Sequence, residues 1–244
     1  AIDMRAQLKS LIRPLIPERI HRLWRRHRFA QEQRAAQGRP LAQVFEDIYE
    51  SDAWAKADGG RRYSSGPGST VEMARGYEDF VVAFLERDPT IGTLIDIGCG
   101  DFQVGERILA RLSRPVRYVG CDIAANVIAY NQANFAHDGV SFQTLDVTRD
   151  PLPAGDIVTI REVFQHLSND AILAALANVR KSFRLAIVTE ATLARIKRPN
   201  IDLVSGYRAR DGHESAVCLD LPPFNQKVRE QHVLAHRGDY LLKT

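Results

Sequence analysis

Apolar positions change their spacing along the chain, and the change divides it. Leu8, Leu11, Ile12, Leu15 and Ile16 recur at i, i+3, i+4, i+7 and i+8, and Ile20, Leu23 and Trp24 resume the pattern after Pro17. That period predicts two short amphipathic helices, the first weakened by Pro14. Leu41 to Ala55 repeats it through Val44, Phe45, Ile48 and Tyr49, and Val71 to Arg87 through Met73, Tyr77, Phe80, Val81 and Phe84. Between them lies "DGGRRYSSGPGST", Asp58 to Thr70, whose Gly, Ser and Pro content predicts a loop.

From Thr93 onward short β-prone runs alternate with helical ones. Strands are predicted at Thr93–Ile97, Val116–Cys121, Val140–Thr144, Asp156–Ile160 and Leu185–Thr189. Helices are predicted at Asp101–Leu112, Ala124–Phe135 and Ser168–Ser182, the last with Ser168 as N-cap. Strand–helix alternation gives a parallel sheet covered on both faces. After Glu190 the alternation breaks into an irregular stretch holding Gly206, Gly212, Pro222 and Pro223. Two further strands, near Val228–Ala235 and Asp239–Lys243, are joined closely enough to form an antiparallel hairpin at the sheet edge. The expected fold is α/β: a doubly wound, seven-stranded, mostly parallel sheet of Rossmann-like kind with an N-terminal helical extension. The expected division is a basic helical extension over 1–39, a helical cap and Ser/Gly loop over 40–90, and a main domain over 91–244 with an insertion at 191–227.

Charge sharpens this division. The net charge is +3, yet residues 1–39 carry ten basic and three acidic side chains, +7, which leaves the remainder at −4. A mildly acidic body disfavours nucleic acid as its partner. The basic amphipathic segment either packs on its own domain or on a second copy, or touches an anionic membrane surface. No run approaches the length of a membrane span, and the basic N-terminus lacks the apolar core of a secretory signal. Met4 is read as a start preceded by three extra residues. Three widely spaced cysteines, Cys99, Cys121 and Cys218, argue against a disulfide framework and for a reducing compartment. The expected location is the cytoplasm, with the inner membrane face as its one special address. No CxxC or HExxH spacing suggests a metal, and none is expected.

Candidate chemistry gathers at the predicted strand ends, where a doubly wound sheet binds its ligand. Gly98 and Gly100 follow the first strand, Asp122 ends the second, Asp146 follows the third, and Arg161 and Glu162 follow the fourth. A dinucleotide fingerprint needs a third glycine, and Gln103 stands in its place. A P-loop is excluded, since no Gly-Lys-Ser/Thr follows. A carboxylate at a strand end can accept from both hydroxyls of a ribose, and another near the first turn can pair with an ammonium group. A ligand with ribose, adenine and a zwitterionic tail suits this acidic rim better than a pyrophosphate does.

The segments "LIDIGCGD", "YVGCDIAANVI", "FQTLDVTRDPLP" and "DIVTIREVFQHLS" resemble, in order and spacing, the successive signatures of class I S-adenosylmethionine-dependent methyltransferases. The resemblance covers roughly Thr90 to Thr244. It implies S-adenosylmethionine as cofactor, with Asp96, Gly98 and Gly100 around the methionine moiety and Asp122 on the ribose hydroxyls. It also implies Ile123 on the adenine, Asp146 and Val147 at the adenine edge, and Arg161 lining the cofactor through its backbone. Phe102 stands where many members have a glycine and is expected to narrow the mouth near the methionine tail. The segments "SSGPGSTVEMARGY", "EVFQHLS" and "GYR…LDLPPFN" are similar to a narrower bacterial subgroup, some of whose members are connected with cell-surface glycan modification.

Methyl transfer to a hydroxyl needs alignment and a proton acceptor. Glu162 and His166 are the candidate bases, the alternatives being a capping carboxylate and a helix-terminal histidine held by backbone. Gln165 can orient an acceptor. The Ser64–Thr70 loop is a candidate lid or a solvated linker. Tyr207, Arg208, Phe224 and Asn225 are candidates for an acceptor pocket, with Arg208 suited to an anionic group. The first functional expectation is methyl transfer to a hydroxyl of a glycan or other polar metabolite. A small-molecule N-methyltransferase and a non-catalytic S-adenosylmethionine-binding sensor or scaffold stay open. So do homo-oligomer formation and peripheral membrane contact through residues 1–39.

Overall fold

A computed structural model describes residues 27, 30–31, 34–56, 61–210, 213–237 and 240–244. The two amphipathic helices expected before Trp24, and Gly212 of the insertion, lie outside the described residues. The chain falls into two units, Ala1–Gly38 and Arg39–Thr244, and every element named below belongs to the second. Among the described residues, no helix is long and apolar enough to cross a membrane.

The second unit opens with helix α1 (Leu41–Glu50), a 3-10 turn at Pro67–Ser69 and helix α2 (Val71–Arg87). Then follow β1 (Thr93–Ile97), α3 (Gln103–Leu109), β2 (Arg117–Asp122), α4 (Ala125–Phe135), β3 (Val140–Thr144) and β4 (Ile157–Arg161). A 3-10 turn at Phe164–His166 leads into α5 (Asn169–Ser182), and β5 (Ala186–Leu193), β6 (Val233–Arg237) and β7 (Tyr240–Lys243) close the sheet. The sheet order is β3-β2-β1-β4-β5-β7-β6. The first five strands are parallel, and β7 pairs antiparallel with both β5 and β6. The fold class is therefore the one expected.

Alternation along each strand builds a core on each face of the sheet. Ile95, Ile97, Val158 and Ile160 face one side, against Val127 of α4 and Ile172, Ala175, Leu176 and Val179 of α5. Leu94, Tyr118, Ile157 and Ile187 face the other, against Tyr77, Val81 and Leu85 of α2 and Ile108 of α3. Two side-chain N-caps hold helices in place, Ser168 as expected and Thr70 in addition. Thr70 accepts from the Met73 amide at 3.4 Å, and Ser168 accepts from the Ala171 amide at 3.3 Å.

Several boundaries differ from the sequence expectation for local reasons. Helix α3 begins at Gln103, not Asp101, because Phe102 adopts a left-handed conformation with φ of 66°. Asp156 is not a strand residue. Its carboxylate accepts from the amides of Gly92 and Thr93, both at 2.8 Å, tying β4 to the start of β1. β5 runs four residues further than Thr189 because β7 continues its ladder from Glu190 to Leu193.

β1 sits between β2 and β4, so the chain winds outward to β3 and returns to the other side of β1. That reversal opens a crevice at the carboxyl ends of β1 and β4.

Candidate active site

The crevice is a cavity of about 320 Å³, within the range typical of small-molecule sites. Its floor is the turn after β1. Gly98, with φ of 74°, donates its amide to the Cys121 carbonyl at 2.7 Å, and the Cys99 amide reaches the same oxygen at 3.1 Å. A Cβ on Gly98 would lie 2.2 Å from Val163 Cγ2, so only glycine lets β1 and the segment after β4 approach this closely.

Asp122, at the end of β2, is almost fully buried. Its Oδ1 accepts from the Ala124 amide and its Oδ2 from the Gly100 amide, each at 3.0 Å. Burial pushes its pKa up to about 6, and the amides of Ala124, Gly100 and Ile123 pull part of the way back. Asp146 accepts from the Thr148 amide at 3.0 Å and hydroxyl at 2.6 Å and meets Arg149 Nε at 3.1 Å. Asp96 lies deeper. Tyr118 and Thr159 hydroxyls donate to its two oxygens at 2.6 and 2.8 Å, and burial raises its pKa.

On the other side of β1 from Asp122, β4 finishes in Arg161. Its guanidinium donates to the Gly68 carbonyl, meets Glu162 Oε2 at 2.7 Å and lies 5.4 Å from the centre of the Tyr77 ring. Its Nε is buried with no hydrogen-bond partner among the described residues. Glu162 is in the left-handed region at φ 54°, and its carboxylate packs beneath Gly68, where a Cβ would come within 2.4 Å of Oε2. Beyond it the 3-10 turn presents Gln165 and His166, with 3.4 Å between Gln165 Nε2 and His166 Nε2. Trp54, just past α1, lies 5.2 Å from the His166 ring and 5.1 Å edge-on to Tyr49, and donates Nε1 to the Tyr207 carbonyl at 3.5 Å.

Residues 65–69 line the cleft as well. They are fastened at both ends. Ser65 and Asp101 exchange bonds, the Ser65 amide to Asp101 Oδ2 at 3.1 Å and the Asp101 amide to Ser65 Oγ at 2.9 Å. Arg161 holds the far end through Gly68. Within the loop expected by composition, residues 65–69 are thus bonded into the lining of the cleft rather than free as a solvated linker.

One cavity therefore brings together Asp96, Gly98, Asp122, Ile123, Asp146, Val147, Arg161, Glu162 and His166, all singled out in the sequence. Two other candidates stand apart. Gly100 braces Asp122 through its amide and does not line the cavity. Phe102 does not narrow the mouth. Its left-handed backbone turns the ring to the opposite side of the turn, against Tyr118, Phe135 and Phe142 at 4.9 to 5.7 Å. Arg161, expected to act through its backbone, also uses its side chain to tie Gly68 and Glu162 of the lining together. From the insertion, Ala209 lines the cavity among the described residues, whereas Tyr207, Arg208, Phe224 and Asn225 do not. Phe224 is a core residue, and Arg208 lies over the Tyr207 ring at 5.1 Å. Trp54 and Asp101 carry more of the site than their sequence context suggested. Trp54 falls within the helix expected over Leu41 to Ala55, which ends at Glu50, and lies off its apolar stripe, and Asp101 adjoins a glycine turn with nothing to mark it as the partner of a serine 36 positions earlier.

A family model described as a methyltransferase domain matches residues 95–184. Two solved structures share the architecture. Human N-acetylserotonin methyltransferase in complex with S-adenosylmethionine is 14% identical, with 84% of this chain and 59% of that chain covered and a TM-score of 0.53. Magnesium protoporphyrin IX methyltransferase from Synechocystis PCC 6803, with bound S-adenosylmethionine, is 16% identical, with 85% and 96% covered and a TM-score of 0.52. The chain thus spans about three fifths of the human enzyme's length. Among curated proteins none matches at a significant level. The fold is the Rossmann-like methyltransferase fold, and residues 95–184 are the part that matches the methyltransferase-domain model.

Proposed function

We propose that this chain transfers a methyl group from S-adenosylmethionine to a hydroxyl of a glycan or similarly polar small molecule. The observation that carries the proposal is the single cleft whose lining combines strand-end acids and a glycine turn with His166 and Gln165. The donor set fits the cofactor: a buried carboxylate for a diol, a glycine cradle for close backbone approach, and apolar Ile123 and Val147 for a flat base. When bound, the cofactor supplies an electrophilic methyl on its sulfonium.

The remaining work belongs to the chain. Asp122 accepts from the ribose hydroxyls, and Ile123, Asp146 and Val147 enclose the adenine. Residues 65–69 cover the tail and exclude water. Leu41, Phe45 and Trp54 offer an apolar and aromatic wall on which a sugar ring face can pack. Glu162 is engaged by Arg161 at 2.7 Å, so the proton of the attacking hydroxyl goes to a ring nitrogen of His166. The similarity of "SSGPGSTVEMARGY" and "LDLPPFN" to a subgroup some of whose members are connected with cell-surface glycans supports the acceptor class.

The test is release of S-adenosylhomocysteine when protein and cofactor are offered fractionated acceptor pools. Nucleotide sugars or lipid-linked glycans are expected to trigger it. Tight cofactor binding with no release from any pool would make the chain a binding protein instead.

The +7 segment, residues 1–39, is proposed to hold the enzyme at an anionic membrane face. Each basic residue near such a surface contributes on the order of 1 kcal/mol, screened by salt. Full-length protein should therefore pellet with anionic vesicles at low salt and not at molar salt, and a chain lacking residues 1–39 should stay in the supernatant. Failure of the full chain to pellet at low salt would leave the segment to pack on protein.

A further inference from the structure

The turn that carries Gln165 and His166 is gripped by two buried ionisable side chains, a glutamate on its amides and an arginine on its carbonyls. Glu190 of β5, 5% exposed, accepts from the Phe164 amide at 2.8 Å and the Gln165 amide at 2.9 Å, one on each carboxylate oxygen. Arg210, 1% exposed, takes the carbonyls. Its Nη1 donates to Phe164 O at 2.9 Å and Gln165 O at 3.2 Å, and its Nη2 donates to Leu167 O at 2.7 Å and Asn169 Oδ1 at 2.9 Å. Its Nε donates to Ile201 O at 2.9 Å. All five donors of the guanidinium are spent. The remaining carbonyl, of His166, accepts from the Gly206 amide at 2.9 Å.

A single 3-10 turn has weak hydrogen bonds of its own and does not hold its shape unaided. Burying an arginine and a glutamate is costly unless every polar atom finds a partner, and here most of those partners are the turn's own backbone groups. Neither side chain lines the cleft, but their neighbours do: Gln165, His166 and Leu167 on the turn, and Ala209 beside Arg210.

We infer that Glu190 and Arg210 are positioning residues, which lock the 164–167 turn to the 201–210 segment and so fix the His166 ring relative to the acceptor wall. The inference rests on the proposed role of His166 as proton acceptor. Lysine at 210 would lose the planar fork that serves several carbonyls at once. Glutamine at 190 would turn an NH2 group toward one of two amides that need an acceptor.

The experiment compares the full-length protein with Arg210→Lys, Glu190→Gln and Glu190→Asp. The measurements are thermal unfolding, S-adenosylhomocysteine affinity, amide exchange at Phe164 and Gln165, and the His166 imidazole NMR signal, assigned by its absence in His166→Ala. In Arg210→Lys and Glu190→Gln the two amides should exchange at least about tenfold faster and the ring signal should shift and broaden, while affinity stays within about threefold of the parent. Glu190→Asp should recover part of the parent signal. Unchanged exchange and an unchanged ring signal in folded variants would overturn the inference. Outright unfolding of both variants would also overturn it, since the pair would then be core stabilisers. If the parent itself fails to bind S-adenosylhomocysteine, the methyltransferase reading fails separately, whatever the turn does.

Discussion

Replacing Asp122 with alanine is expected to weaken S-adenosylhomocysteine binding roughly thirty- to hundred-fold, about 2–3 kcal/mol, the cost of a lost charge-assisted bidentate contact. The carboxylate is held ready for that contact. Two backbone amides fix its orientation, and its burial leaves few alternative partners. Alanine would also leave the Gly100 amide without its acceptor and loosen the glycine turn. Asp122→Asn, which keeps an oxygen for one amide, therefore separates the charge from the scaffold.

The raised pKa of Asp122, about 6, gives both variants a second readout. Only the ionised form accepts from two hydroxyls, so cofactor affinity should climb as pH rises through about 6 and level off above it. Stability moves the other way. Between the ordinary value of 3.8 and about 6 the folded chain keeps a proton that the unfolded chain has released, so stability from this group falls as pH rises through that window. The difference is on the order of 3 kcal/mol. Calorimetric titration between pH 5 and 8 checks the affinity. An Asp122→Asn chain whose affinity and pH profile both match the parent would remove Asp122 from the site.

His166→Ala is expected to lower turnover by roughly 10²–10⁴, the span general-base catalysis supplies, with S-adenosylhomocysteine affinity retained. His166 follows β4 and Asp122 ends β2, on opposite sides of β1, so the two functions should separate cleanly. Trp54 packs beside the ring at 5.2 Å in a tilted arrangement and limits its movement. Turnover measured with an acceptor found by the release assay decides the matter. A fall of less than about threefold would make His166 structural and return the role to Glu162, with Arg161 as its obligatory partner.

The parallel strands, their order of appearance and the strand-end acids were legible because period-2 and period-3.6 patterns are local, and because a doubly wound sheet places its ligand at strand ends whatever the sequence. The insertion was not legible. It is held by side chains reaching backbone: Arg210 on the 164–167 carbonyls, and Asn200 on Cys218 and Pro222 at 2.8 and 2.9 Å. Such bonds leave no periodic trace, and nothing distinguishes Arg210 from Arg208 until the chain has folded. Phe102 shows a different limit. Its position next to the glycine turn was evident, but the direction of its ring is set by one backbone angle, φ of 66°, that sequence spacing does not encode. Trp54 and Ser65 reach the site across more than thirty intervening residues, beyond the range of any pattern.

The order of strands in the sheet also divides the cleft by ancestry of its parts. The groups proposed to grip the cofactor's ribose and base come from residues 122–147, on the arm of the sheet that runs outward through β2 and β3. The groups proposed to face the acceptor come from outside that run, from α1, Trp54, the turn after β4 and the insertion, and among the strands β1 alone borders both arms. A lineage carrying this scaffold could rewrite the insertion, or trade the residues around Trp54, and take up a new acceptor while its hold on the methyl donor passed unchanged to its descendants.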